Sequence, residues 1–136
     1  MDWKECIKTK TAKDVRADSG LIESTKEIAE IKIKSANALP KELYIGKITL
    51  LYDALREYLE STALIKGYKI YNHECYSAFL KEILNMPTEA DIFDKLRKIR
   101  NSINYYGRKV NEDEAEEIMR DLTGLIKIFR NLKLQS

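Results

Sequence analysis

Glycine and proline are scarce, five and two in 136 residues. A fold of many short strands needs much more turn material, so a loop-rich β-architecture is excluded. Histidine occurs once, and the two cysteines, Cys6 and Cys75, stand far apart without metal-ligand spacing. A zinc site or a disulfide-dense scaffold lacks the residues to form. No signal peptide precedes the cysteines, so the expectation is free thiols in a cytoplasmic protein. No apolar run approaches the ~20 residues of a membrane helix, so no membrane span is expected. An excess of charge of one sign is also missing: the net charge is +2, too little to mark a nucleic-acid binder by composition.

What is present is 44% hydrophobic and 34% charged residues, enough for one domain over residues 1–136 that buries roughly two thirds of its unfolded surface. The periodicity predicts an all-α protein: an up-and-down antiparallel bundle of four main helices plus a short N-terminal helix. Residues 2–10 form the short helix, with Asp2 as cap and Trp3, Cys6 and Ile7 on its apolar side. A polar stretch through Lys13, Asp14, Arg16 and Asp18 follows. Ser19 is expected to cap a helix over about 20–38, with Ile22, Ala29, Ile33 and Ala36 at helical spacing and Leu21, Ile28 and Ile31 widening that stripe. Pro40 interrupts it. The longest helix is predicted over about 42–66, where Tyr44, Ile48, Leu51, Leu55, Tyr58 and Thr62 alternate in steps of four and three, a bundle seam.

Gly67 is placed to end that helix in a left-handed conformation, and the loop 68–72 leads to a helix over about 73–84 with Asn72 as cap. Asn85-Met86-Pro87 stops it. Thr88 opens the next helix, with Asp91 in a shortened capping box, and Gly107 ends it. Asn111 and Glu114 begin the last helix, whose Ala115, Ile118, Leu122, Leu125, Phe129 and Leu132 give the cleanest amphipathic pattern in the chain.

The charges are unevenly placed. From Asp94 to Val110 the basic residues are Lys95, Arg97, Lys98, Arg100, Arg108 and Lys109 against Asp94 alone, and an acidic run from Glu112 to Glu117 follows. The acidic run is the expected first turn of a helix, favoured by the dipole. On the preceding helix Ile92, Leu96, Ile99 and Ile103 share one stripe, while Arg97, Arg100, Asn101 and Asn104 fan out beside it. Arg100 lies at the boundary, where its stem packs and its guanidinium reaches a groove. A planar guanidinium holds two phosphate oxygens at once, and Asn101 supplies another hydrogen bond. The competing reading is structural: an arginine near a helix end pairs with a carboxylate, here Glu57 or Glu60 of the long helix.

The run Arg100-Asn101-Ser102-Ile103-Asn104-Tyr105 resembles the Arg-Asn-x-x-x-His signature of the HEPN superfamily, the higher eukaryote and prokaryote nucleotide-binding domains. The resemblance extends to a long helix ending near Gly67-Tyr68-Lys69 and to a helix begun by a His-Glu pair, His73-Glu74. It implies a helical bundle that dimerises with the two Arg-Asn segments facing each other. It also implies metal-independent endoribonuclease chemistry, in which arginine stabilises phosphate charge and histidine shuttles the proton. On that pattern Arg100 and Asn101 take the electrostatic and polar positions, and Tyr105 occupies the histidine position.

A tyrosine with a pKa near ~10 is a neutral hydrogen-bond donor where a histidine near ~6.5 exchanges protons. Binding therefore survives the replacement better than catalysis. The expected contacts to phosphate or nucleic acid are Arg97, Arg100, Asn101, Asn104, Tyr105 and Arg108, with Arg100, Asn101 and Tyr105 as the catalytic set if cleavage persists. Tyr105 and Tyr106 are the two of eight tyrosines set apart for base stacking. His73 is read as a helix N-terminal residue with local hydrogen bonds. Three functions follow: an RNA- or nucleotide-phosphate-binding domain with weakened or absent cleavage, an active endoribonuclease using Tyr105 or His73 in place of the expected base, and a homodimer or partner module for a minimal nucleotidyltransferase in a toxin–antitoxin or defence system. No metal or other cofactor is implied.

Overall fold

Four long amphipathic helices carry the fold of the computed structural model, which describes residues 1–134. In chain order the elements are α1 (Trp3–Lys8), β1 (Ala12–Asp14), α2 (Ser19–Ala38), α3 (Tyr44–Ile65), β2 (Tyr68–Ile70), α4 (His73–Ala78), α5 (Pro87–Tyr106) and α6 (Glu112–Asn131). A π-helical turn, Phe79–Ile83, prolongs α4. The all-α bundle expected from periodicity is the architecture observed.

α3 is the central rod. It packs most heavily on α2, then on α6, and more lightly on α5. Its predicted seam is sound: Ile48, Leu51, Leu55, Tyr58 and Thr62 are buried, with Tyr44 half-buried at the start. Cross-helix partners fix the antiparallel sense of α2 and α3, since Lys32 pairs with Glu57, and Lys47 lies against the end of α2. The Lys47 ammonium donates to the carbonyls of Ala36 and Leu39 at 2.6 and 2.9 Å. A cation on those C-terminal carbonyls stabilises the end of α2 and ties it to α3.

Local chemistry sets most helix ends as the residues suggest. The side chains of Asp2, Asn72 and Asn111 accept from the amides of Glu5, Glu74 and Glu114. Gly107 adopts φ 64°, ψ 25°, and the amides of Gly107 and Arg108 both close onto the Ser102 carbonyl. That left-handed end stops α5 and points the chain back along α6. Two starts differ. Asp18, not Ser19, caps α2, accepting from the Leu21 amide at 3.1 Å. α5 begins at Pro87, whose missing N–H is no loss in a first turn, so the Thr88–Asp91 box is not formed.

Three larger departures concern contacts between distant segments. The stretches 12–14 and 68–70, read as polar loop, pair as an antiparallel ribbon with Ala12 opposite Ile70 and Asp14 opposite Tyr68. Three residues are too few for a two-residue alternation to register. The thiols expected to be free form a disulfide: Cys6 and Cys75 are bonded, with Cα atoms 6.0 Å apart, and both are fully buried. The ribbon, together with Trp3 packed edge-on to Tyr68 and tilted against Phe79, brings α1 beside α4 and makes this closure geometrically natural. Finally, Leu21, Ile28 and Ile31 do not widen the packed face of α2; all three are exposed. No helix among the described residues is long and apolar enough to cross a membrane.

Candidate functional site

The site grows from one buried ring. Tyr52 on α3 has no exposed surface and stacks on Phe93 of α5, with ring centroids 6.0 Å apart and planes 12° from parallel. On this platform the Arg100 guanidinium lies 5.3 Å from the ring centroid, a cation–π contact that fixes the arginine by dispersion and charge rather than by hydrogen bonds. Its carboxylate neighbour is Asp53, not Glu57 or Glu60, and the separation of 3.9 Å is too long for a hydrogen bond.

Charge accounting distinguishes Arg100 from the other half-buried arginines. Arg97 turns back on its own helix and donates to Asp94 from Nε at 3.1 Å and Nη2 at 2.7 Å. Burial pushes the Asp94 carboxyl up, but hydrogen bonds and charge from Arg97 and Lys98 outweigh that and hold it below its ordinary value. Arg56 donates to Glu57 at 2.7 Å and lies 3.6 Å from Glu60. Arg100, with only 20% of its side chain exposed, makes no hydrogen bond among the described residues, and its Nε is buried without a partner. A buried guanidinium nitrogen without an acceptor is costly until one arrives.

His73, at the start of α4, completes the cluster. Its Nδ1 lies 2.8 Å from the Tyr52 hydroxyl. That hydroxyl has no other acceptor among the described residues, so it donates to Nδ1 and leaves the imidazole proton on Nε2. Burial, followed by the charges of Arg56, Arg100 and Arg97, lowers the His73 pKa to about 4. Burial raises the Tyr52 phenol well above its normal range, against the pull of the same three arginines. At neutral pH the cluster is therefore an array of fixed donors: a guanidinium and an uncharged imidazole N–H, with a phenol that stays protonated.

The side chains of the remaining expected residues make no hydrogen bond, ion pair or ring contact with Arg100, Tyr52 or His73 among the described residues. Asn101 is half-buried and Asn104 exposed, and neither side chain makes a hydrogen bond among the described residues. Tyr105 and Tyr106 stand out in solvent at 70% and 84% exposure. Arg108, beyond the Gly107 turn, is paired with Glu114 at 2.6 Å. One helical turn past Arg100, Ile103 joins Tyr44, Ile45 and Val110 in a shallow groove of about 300 Å³ whose rim carries Arg108 and Lys109. A second cleft of about 460 Å³ reaches Asp94 and Arg97 from the α1 side, with charges of both signs along it, Glu74, Glu82 and Asp91 beside Lys81 and Lys98. No group of three or more His, Cys, Asp or Glu placed to hold a metal occurs among the described residues.

Sequence reasoning found Arg100 but not its supports. Tyr52 and Asp53 come from α3 and His73 from the start of α4; the sequence marked His73 as the only histidine, in a His-Glu helix entry, and Tyr52 only as an aromatic beside the α3 seam residue Leu51. No family model, curated protein or solved structure matches the chain. The geometry and the residues themselves carry the functional reading.

Proposed function

We propose that the chain is an RNA- or nucleotide-phosphate-binding domain of the HEPN type whose ribonuclease activity is weakened or lost. One observation carries it: Arg100 is held in place by Tyr52 while its side chain makes no hydrogen bond among the described residues and its Nε is buried without a partner. A phosphate oxygen pair satisfies a guanidinium face in the bidentate manner that a carboxylate at 3.9 Å does not. Asn101, next in the chain and without a protein partner, adds a donor, and the exposed rings of Tyr105 and Tyr106 offer bases a stacking surface. The homodimer, the nucleotidyltransferase partner and the toxin–antitoxin or defence setting implied by the resemblance belong to the same proposal. So does the cytoplasmic location, which now requires the Cys6–Cys75 bridge to stay oxidised there; full burial of both sulfurs favours that.

The test is binding of fluorescently labelled single-stranded RNA, and of nucleotides in competition, followed by anisotropy. The Arg100→Ala, Asn101→Ala double variant is expected to keep its helical circular dichroism and to lose affinity at least ~10-fold, the scale of charge-assisted hydrogen bonds. Equal affinity in a folded double variant ends this reading.

His73 sharing Tyr52 with Arg100 favours a second reading, an active metal-independent endoribonuclease. Cleavage of RNA in the presence of a chelator, abolished by His73→Ala, would establish it. RNA left intact by the wild-type chain removes it and leaves the binding reading untouched.

A further inference from the structure

The ribbon of β1 and β2 has two unlike faces. Ala12 and Ile70, opposite each other, are buried in the core. Alternation along the strands puts the next opposed pair, Lys13 and Lys69, on the other face. The Tyr71 amide donates to the Thr11 carbonyl at 2.8 Å, which carries the pairing one residue further and sets Tyr71 on the face of the two lysines. Its ring is 60% exposed, and the Lys13 and Lys69 ammonium groups lie 5.5 and 5.9 Å from the centroid, within cation–π range.

Like charges directly opposite on one face of a ribbon repel. Lys69 is relieved by an ion pair with Glu60 of α3. Lys13 forms no ion pair among the described residues, and neither does Lys10, with which it lines a shallow groove of about 420 Å³. Asp14, at the same groove, belongs to the opposite alternation, across from Tyr68. An open ring beside unneutralised cations is the combination that holds a base by stacking and a phosphate by charge. An acidic peptide would use the cations and leave the ring idle.

The position in the chain ties this face to the Arg100 cluster. Asn72, the cap of α4, is extended at φ −136°, ψ 131°, and His73 follows it. Across one extended residue the side chains leave on the same side, so Tyr71 and His73 point one way, separated by at most ~7 Å of backbone. His73 is bonded to the ring on which Arg100 rests.

We propose that the Lys13, Lys69 and Tyr71 face is a second subsite for single-stranded RNA: with one phosphate on Arg100, a base of the same strand stacks on Tyr71 and a further phosphate pairs with Lys13. The subsite rests on the phosphate reading of Arg100 and selects a strand over a single nucleotide.

The experiment is fluorescence anisotropy of labelled oligoadenylate, with ribose 5-phosphate, which has a phosphate but no base, as competitor, run beside circular dichroism melts. Tyr71→Ala is expected to keep the wild-type melting curve, because the ring is exposed, and to lose about tenfold in oligoadenylate affinity, within the range of one base–aromatic stack. Tyr71→Phe should bind as wild type does. Lys13→Ala should make the fall of affinity with salt shallower by about 0.7 in the log–log slope, one phosphate contact, whereas Tyr71→Ala leaves that slope alone. Competition by ribose 5-phosphate should be unchanged in these variants and lost in Arg100→Ala, Asn101→Ala. Unchanged oligoadenylate affinity in Tyr71→Ala overturns the subsite and leaves the Arg100 reading standing. Polyglutamate that competes as well as RNA also overturns it and marks the face as one for acidic peptides. A wild-type chain that binds no RNA, or binding lost in Tyr71→Ala but kept in Arg100→Ala, Asn101→Ala, ends the phosphate reading and the shared strand with it.

Discussion

Replacing both cysteines by alanine is expected to lower the melting temperature of this domain by roughly 15 °C. The Cys6–Cys75 bridge joins residues 69 positions apart. Loop-closure entropy for a ring of that size corresponds to about 4 kcal/mol of destabilisation of the unfolded chain. Spread over the melting entropy of a domain this long, that is the shift stated. Calorimetry of the oxidised chain, the chain unfolded and refolded under reductant, and the Cys6→Ala, Cys75→Ala variant gives the comparison. Thiol titration of the unfolded, unreduced protein checks the bridge directly. Free thiols there, or melting temperatures within a few degrees of one another, would show that the bridge contributes nothing.

The second large effect is on pH dependence. His73 is the only histidine in the chain, so its ring gives one unambiguous resonance. Its midpoint is expected at about 4 in the folded protein, because burial and the charges of Arg56, Arg100 and Arg97 oppose a proton there. In the unfolded chain the ring titrates near ~6.5. Between those values the unfolded state takes up a proton that the folded state refuses, so stability falls as pH drops from about 6.5 towards 4. Allowing for the partial exposure of the ring, the loss is roughly 1–2 kcal/mol. Asp94, whose carboxyl is held down by Arg97 and Lys98, adds a further loss at the acid end of its own range. The nuclear magnetic resonance titration also reads the tautomer, expected to carry its proton on Nε2. In Arg100→Gln the midpoint should move up; a wild-type midpoint near the unfolded value would refute the clustered charges.

The helices were legible because each announces itself locally. Steps of three and four set α3 and α6, the Asn72 and Asn111 caps mark the starts of α4 and α6, and Gly107 marks the end of α5. What stayed hidden depends on which segments meet. Nothing near Cys6 refers to Cys75, and Ala12 and Ile70 pair only because two helices deliver them to the same edge. On α2 the same hydrophobic residues fit two faces, and composition did not tell the packed stripe of Ala29 and Ala36 from the open one of Ile28 and Ile31. The site divides in the same way. Arg100 and Asn101 were visible as a motif at a helix boundary. The ring beneath the arginine, and the histidine bonded to that ring, are products of packing between α3, α4 and α5.

The stacking of Tyr52 on Phe93 has one more implication, for how such a chain can drift over generations. The wall that supports Arg100 belongs to the interior, where substitutions are punished through folding whether or not a ligand is ever bound. Arg100 and Asn101 stand on its outer edge and can change while the bundle survives. A lineage released from its ligand would therefore shed the pair at the rim and keep the aromatic wall, leaving a recognisable seat with nothing to fill it.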